Sequence, residues 1–184
     1  MLEIETKFKI RSEQAIRHAL KRIGARFEGR QKERDIYYYP PREAKSVSAV
    51  RLRMAGNKNI FTIKKIPKNI SRSKTFKIRE ELELFIEDKK IFQKVLGLLD
   101  FNEAFRKEKK RLLYGWNGLK ISIDKLPFIG VYLELEGSKS KIVRAVKALG
   151  LNMKDAASFT YMEIFNRYKK MHKKPGLKLV FGKD

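Results

Sequence analysis

The sequence predicts an α+β fold: an antiparallel β-sheet, able to close into a pseudo-symmetric barrel, with helices packed outside. Three observations carry this. Strand-like segments with period-2 alternation outnumber helical ones, and several are joined by short turns. The strands alternate charged and apolar residues, so each has one polar and one apolar face. A strand bearing Glu-x-Glu, then a helix, then strands bearing basic pairs, occurs once from residue 3 and again from residue 81.

Leu2 to Ile10 sets Leu2, Ile4, Thr6, Phe8 and Ile10 against Glu3, Glu5, Lys7 and Lys9, a half-buried strand. Ser12 is an N-cap for a helix whose stripe is Ile16, Ala19, Leu20 and Ile23, and Gly24 stops it. Phe27 to Tyr39 reads as a strand or hairpin arm ended by Pro40-Pro41. Ser46 to Met54 is a strand carrying Arg51 and Arg53. After a turn at Asn57 to Asn59, Ile60 to Ile66 returns as a strand. Pro67 to Ser73 is a polar, basic loop, and Phe76 to Phe85 is the next strand. Glu87 and Asp88 open a helix striped by Ile91, Phe92, Val95, Leu96 and Leu99. Phe105 to Tyr114 and Leu119 to Asp124 are strands around a turn at Gly115 to Gly118. Pro127 to Gly130 turns into the strand Val131 to Glu136. Lys141 to Leu149 is a helix, and a final helix is expected from Asp155 to Met171. One domain over residues 1–172 is expected, followed by a basic tail at 173–184.

Composition narrows the chemistry. Hydrophobic residues make up 42% of the chain, too many for a disordered chain. With no cysteine, and with His18 and His172 far apart in sequence, disulfides and a zinc site are not expected. No segment has the apolar length of a membrane-spanning helix. Met1-Leu2-Glu3 runs straight into a strand pattern, so a signal peptide is not expected and a cytoplasmic location is. The net charge of +23 invites a nucleic-acid reading. The candidate site residues, however, are seven acids against six bases. The excess positive charge therefore falls on helix faces, loops and the tail.

Those candidates are the acidic pairs Glu3/Glu5, Glu81/Glu83 and Glu134/Glu136, with Asp124, and the bases Lys7, Arg51, Arg53, Lys64, Lys109 and Arg111. A single Glu-x-Glu on a strand is ordinarily a solvated face. Repeated pairs of both signs on neighbouring strands suit the joint binding of a cation and a polyanion. Periodicity leaves open whether the charged faces point inward or outward.

The ordered series resembles the CYTH superfamily, also called triphosphate tunnel metalloenzymes. The resemblance runs through Glu3-Ile4-Glu5-Thr6-Lys7, Arg51-Leu52-Arg53, Lys64, Arg79-x-Glu81-x-Glu83, Lys109-x-Arg111-x-x-Tyr114, Asp124, the Phe128-Ile129-Gly130 turn and Glu134-Leu135-Glu136. It ends in Ser158 to Phe165, and covers about residues 1 to 168. It implies a closed antiparallel eight-stranded tunnel. Lys7, Arg51, Arg53, Lys64, Lys109 and Arg111 would bind phosphate oxygens. Glu3, Glu5, Asp124, Glu134 and Glu136 would hold Mg²⁺ or Mn²⁺, and Glu5, Glu81, Glu83 and Lys7 would serve catalysis. The Asp35-Ile36-Tyr37-Tyr38 strand resembles class IV adenylyl cyclase-like bacterial and archaeal members.

Cyclisation of ATP and hydrolysis of tripolyphosphate, nucleoside or thiamine triphosphate both stay open, as does an RNA 5′-triphosphate substrate. A non-catalytic RNA- or polyphosphate-binding module on the basic surface is the reading from another class. No membrane partner is expected, and the chain could be a monomer or a homodimer. The loops at 40–46 and 67–73 are expected to rim the tunnel. Trp116 is expected at an exposed hairpin tip, and the Tyr37 to Tyr39 run in core packing.

Overall fold

The computed structural model describes all residues except 41, 43, 69, 71, 72, 183 and 184, so the two expected rim loops lie partly outside the described residues. Eight antiparallel strands close a ring: β1 (Leu2–Ile10), β2 (Arg26–Tyr38), β3 (Val47–Ala55), β4 (Lys58–Lys65), β5 (Lys77–Ile86), β6 (Glu103–Trp116), β7 (Leu119–Leu126) and β8 (Gly130–Glu136). The ring order is β1-β5-β4-β3-β2-β6-β7-β8. Helix α1 (Glu13–Arg22) follows β1, and α2 (Lys89–Leu98) follows β5. The unit β-α-β-β-β therefore occurs twice, as the sequence repeat suggests, although the basic pair lies on β3 in the first half and on β6 in the second. Helices α3 (Lys139–Ala148) and α4 (Tyr161–Met171) complete the chain.

Local chemistry explains the ends of these elements. Ser12 Oγ accepts from Ala15 N at 3.1 Å, and Asp88 accepts from the Lys90 and Ile91 amides. The β6–β7 hairpin turns on Asn117-Gly118, both at positive φ, as a tight two-residue turn requires. Trp116 is not an exposed tip. Its Nε1 donates to Ile23 O at 2.8 Å, and the ring packs on the core beside α1.

Two of the three hydrophobic clusters lie outside the ring, between sheet and helices; the third shares the strand face of Asp124 and Glu134 and closes one end of the tunnel with α4. Phe8, Leu133 and Leu135 pack with Ile16 and Leu20 of α1 and Ile142 and Val146 of α3. Ile36, Val50, Leu52 and Phe61 pack with Leu96 of α2. Leu126, Ile129 and Tyr132 pack with Tyr161 and Phe165 of α4 and with Leu179 of the tail. Burying one face of every strand outward commits the other face to the interior. Cover is incomplete along β5: Leu82, expected to point outward beneath a helix, is 62% exposed, and Leu84 is 50% exposed.

The last helix begins at Tyr161, not Asp155. A 3₁₀ turn at Met153–Asp155 precedes it, and Ala157 pairs with Lys7 through both backbone hydrogen bonds (3.1 and 2.8 Å). That pairing holds 156–160 extended. Helix α4 then starts in a capping box: Thr160 accepts from Glu163 N, and the Glu163 carboxylate accepts from Thr160 N.

Candidate active site

Alternation and closure send one charged face of each strand into a single cavity of about 930 Å³. Glu3, Glu5 and Lys7 enter it from β1, Arg51 and Arg53 from β3, and Lys64 from β4. Glu81 and Glu83 enter from β5, Lys109 and Arg111 from β6, and Glu134 and Glu136 from β8. Twelve of the thirteen residues singled out in the sequence thus line one space. Asp124 is the thirteenth. It is on the same interior face but fully buried beneath its neighbours, with both oxygens occupied: Arg111 Nε and Nη2 donate to them at 2.6 Å each, Lys109 Nζ at 3.1 Å and Tyr161 Oη at 2.9 Å.

The interior is a lattice of ion pairs. Lys7 Nζ lies between Glu5 (2.6 Å) and Glu134 (3.1 Å), and Lys64 Nζ between Glu3 (2.7 Å) and Glu81 (3.1 Å). Arg53 forks onto Asp35, Nε to Oδ1 at 2.8 Å and Nη2 to Oδ2 at 3.0 Å, and also reaches Glu33. Arg51 Nη2 contacts Thr62 and Glu83, while its Nε is buried with no hydrogen-bond partner. Desolvating so many charges is costly, and close pairing is what makes the arrangement tolerable.

The titration behaviour follows from these neighbours. Burial opposes the charge on Glu5, but Lys7 and Lys77 outweigh it and hold the carboxyl far below its usual range. For Asp35, burial is outweighed by Arg53 and Lys107, with the same result. Glu3 goes the other way: burial and the like charges of Glu5 and Glu81 push it up despite Lys64. Lys109 is pushed down by burial and by Arg111. Tyr37, beside Lys107, is brought down to about 8 although burial opposes this.

The site is not electrically balanced. Among the described residues, eleven lysines and arginines and seven glutamates line the cavity, so the interior itself favours an anion. The sequence reading passed over Glu33, Asp35, Lys77, Lys107, Lys120, Lys169 and Tyr161. The signal for several was present: Lys107-x-Lys109-x-Arg111 and Glu33-x-Asp35-x-Tyr37 continue the same alternation. Tyr161 falls in the Ser158 to Phe165 segment of the resemblance, but it reaches the site from a helix and so shows no strand alternation.

Comparison with known proteins agrees with this geometry. A sequence model of the CYTH domain matches residues 1–161. The chain belongs to the CYTH family. A Methanocaldococcus jannaschii protein provisionally named an adenylate cyclase is 31% identical over 176 residues, covering 89% of this chain and 98% of its own. A conserved hypothetical protein of Pyrococcus furiosus has a similar structure, with a TM-score of 0.72 and 27% identity over 88% of this chain and 99% of its own. A Hippeastrum protein, provisionally an adenylyl cyclase and described as having a dominant triphosphatase activity, superposes with a TM-score of 0.59. Its identity is 17% over 90% of this chain and 95% of its own.

Within this CYTH domain, Tyr161 is the hub at one end of the tunnel. Its hydroxyl donates to Asp124, and the ammonium groups of Lys7, Lys107 and Lys109 stand 5.3, 5.5 and 5.8 Å from its ring centroid. Tyr37 also faces the tunnel rather than the core. It stacks on Phe105 with centroids 4.3 Å apart and hydrogen bonds with Lys107 Nζ at 3.1 Å, whereas Tyr38 is the core residue of the run.

Proposed function

We propose that this protein binds a triphosphate along the tunnel and, with a divalent cation, breaks a phosphoanhydride bond in it. The observation that supports this is the excess of cationic side chains over carboxylates inside one closed cavity. Lys7, Arg51, Arg53, Lys64, Lys109 and Arg111 would bind phosphate oxygens, joined by Lys77 and Lys107. A guanidinium has five donors, and the carboxylate partners of Arg53 and Arg111 leave some for a ligand. Arg51 Nε is a buried donor with no partner of its own. Asp124 we assign to holding Arg111 and Lys109 in place.

The carboxylates fit a hard cation in kind, being oxygen donors only, which suits Mg²⁺ or Mn²⁺. Glu3, Glu5, Glu134 and Glu136, with Glu81 and Glu83, would hold it. Among the described residues no three acids converge into a ready cage. Lysine ammonium groups stand between the carboxylates instead, in the Glu3–Glu81 and Glu5–Glu134 gaps. A bound cation would withdraw electron density from a phosphoryl oxygen. In hydrolysis, water attacks the terminal phosphorus and the bridging P–O bond breaks, releasing phosphate. In cyclisation, a ribose hydroxyl attacks the α-phosphorus and pyrophosphate leaves.

The deciding experiment offers tripolyphosphate, ATP, GTP, thiamine triphosphate and 5′-triphosphorylated RNA, scoring released phosphate and cyclic nucleotide. Turnover of at least one is expected with Mg²⁺ or Mn²⁺, and its loss in chelator. Full turnover in chelator removes the metal from the mechanism. If no member of the panel is bound or turned over, the triphosphate reading fails.

A further inference from the structure

The two halves of the ring are related by exchange: putting β5–β8 in the places of β1–β4, and the reverse, returns the same strand order read in the opposite direction. Helices α1 and α2 hold equivalent places, each after the first strand of its half. Helix α3 has no such counterpart. It follows β8 and packs on Phe8 of β1 and on Leu133 and Leu135 of β8, beside α1. The equivalent place is the outer face of β4 and β5, beside α2. Among the described residues, no helix stands between β4 and β5 to fill it.

That place holds uncovered apolar surface instead. Leu82 and Leu84 stand opposite Ile63 and Phe61 in the β4–β5 register, so they share the outer face on which α2 rests. Phe92 of α2 packs edge-on against Phe61, ring centroids 4.8 Å apart, which sets the underside of the helix. Gln93 Nε2 donates to Tyr38 Oη at 3.3 Å, which turns that flank toward β2. The opposite flank therefore faces β5. It carries Ile91, Val95 and Leu98 at helical spacing, with Ile91 61% exposed and Leu98 85%. Helix flank and strand face form a step, apolar on wall and floor. Single exposed leucines are ordinary, but a contiguous set on two adjoining elements marks an interaction surface.

Charge selects the occupant. Residues 77–101, which include β5 and α2, hold six acids and five bases in a chain of net charge +23. A second copy is repelled by the basic remainder of the surface and meets no such excess at the step. An acidic partner would be drawn to the remainder instead.

We propose that the step formed by α2 and β5 is a two-fold interface between copies of this chain, with Ile91, Val95 and Leu98 of each copy set against Leu82 and Leu84 of the other. A patch that meets itself about a two-fold axis closes after two copies, so a dimer forms and not a filament. Each copy supplies the helical cover that the other lacks between β4 and β5. The interface uses outward-facing side chains and is independent of what the tunnel binds.

The test is sedimentation equilibrium over a range of protein concentration, with melting temperature measured over the same range. The unmodified chain is expected to be a dimer whose melting temperature rises with concentration. Leu82→Lys and, separately, Leu98→Lys place a charge on the floor or on the wall. Both positions are more than half exposed, so the fold is retained, and circular dichroism checks this. Each is expected to raise the dimer dissociation constant on the order of a hundredfold, the scale of losing an interface hot spot. Melting should then no longer depend on concentration. Val143→Lys, at an exposed position on α3, should change neither reading. A monomeric unmodified chain overturns the proposal. So does a dimer that Leu82→Lys and Leu98→Lys leave intact, which would place the contact elsewhere. Equal weakening by Val143→Lys also overturns it, since added charge alone would then account for the loss.

Discussion

Arg53 shows how closely grip and stability are joined in this tunnel. Its fork onto Asp35 and its contact with Glu33 keep two buried carboxylates compensated. Arg53→Ala should weaken triphosphate binding by about 1.5–3 kcal/mol, the scale of hydrogen bonds to a charged group. It should also destabilise the fold by roughly 3–5 kcal/mol, because Asp35 is left buried beside fewer cations. Calorimetric titration reads the first effect and denaturant unfolding the second. Binding loss without destabilisation would mean that Lys107 alone satisfies Asp35. Glu5→Gln probes the other sign. It removes a partner of both Lys7 and Lys77, and should lower turnover more than affinity and raise the metal concentration needed. Steady-state kinetics across a Mg²⁺ series would show this, and an unaltered metal requirement would take Glu5 out of the cation site.

At the scale of elements, α4 does most to finish the site. The capping box at Thr160 and Glu163 fixes where the helix starts, and Tyr161 is the first residue inside it. Thr160→Ala should cost about 0.5–2 kcal/mol, the usual range for losing an N-cap. The same change should weaken triphosphate binding, since Tyr161 sets the positions of Asp124 and three lysines. Thermal unfolding with and without tripolyphosphate separates the two consequences. A stability loss with unchanged ligand shift would show that Tyr161 is held by its packing on Tyr132 rather than by the cap. The capping box was legible as Thr160-x-x-Glu163. The expectation of a helix from Asp155 missed it because the backbone pairing of Ala157 with Lys7 lies 150 residues away in sequence.

The whole molecule carries its positive charge both inside and outside the ring. Lys169 lines the tunnel, so the proper exterior controls are the exposed Lys170 and Lys174. Lys170→Ala with Lys174→Ala should leave tripolyphosphate binding unchanged at moderate salt. Tunnel binding should saturate and require a divalent ion. Binding to the outer surface should instead fall steeply with salt through counterion release. Loss of activity in the exterior variant, with Glu5→Gln silent, would move the substrate onto the basic surface and favour the RNA-binding reading.

The sequence by itself determined which residues share a face. Alternation is a local property of an extended chain, and Glu3 with Glu5, or Arg51 with Arg53, cannot be separated by any later packing. It also carried the repeat and the order of the charged pairs. Tertiary structure decided the sign of each face. The charged side points inward because the apolar side is covered by α1, α2 and α3, and only ring closure settles that choice. The β6–β7 pairing likewise buried Asp124 beneath Arg111, because Arg111 stands opposite it in register and takes both its oxygens. The uncovered step beside α2 had no sequence signature, because Leu82 and Leu84 alternate as regularly as Leu133 and Leu135, and only the position of α3 sets them apart.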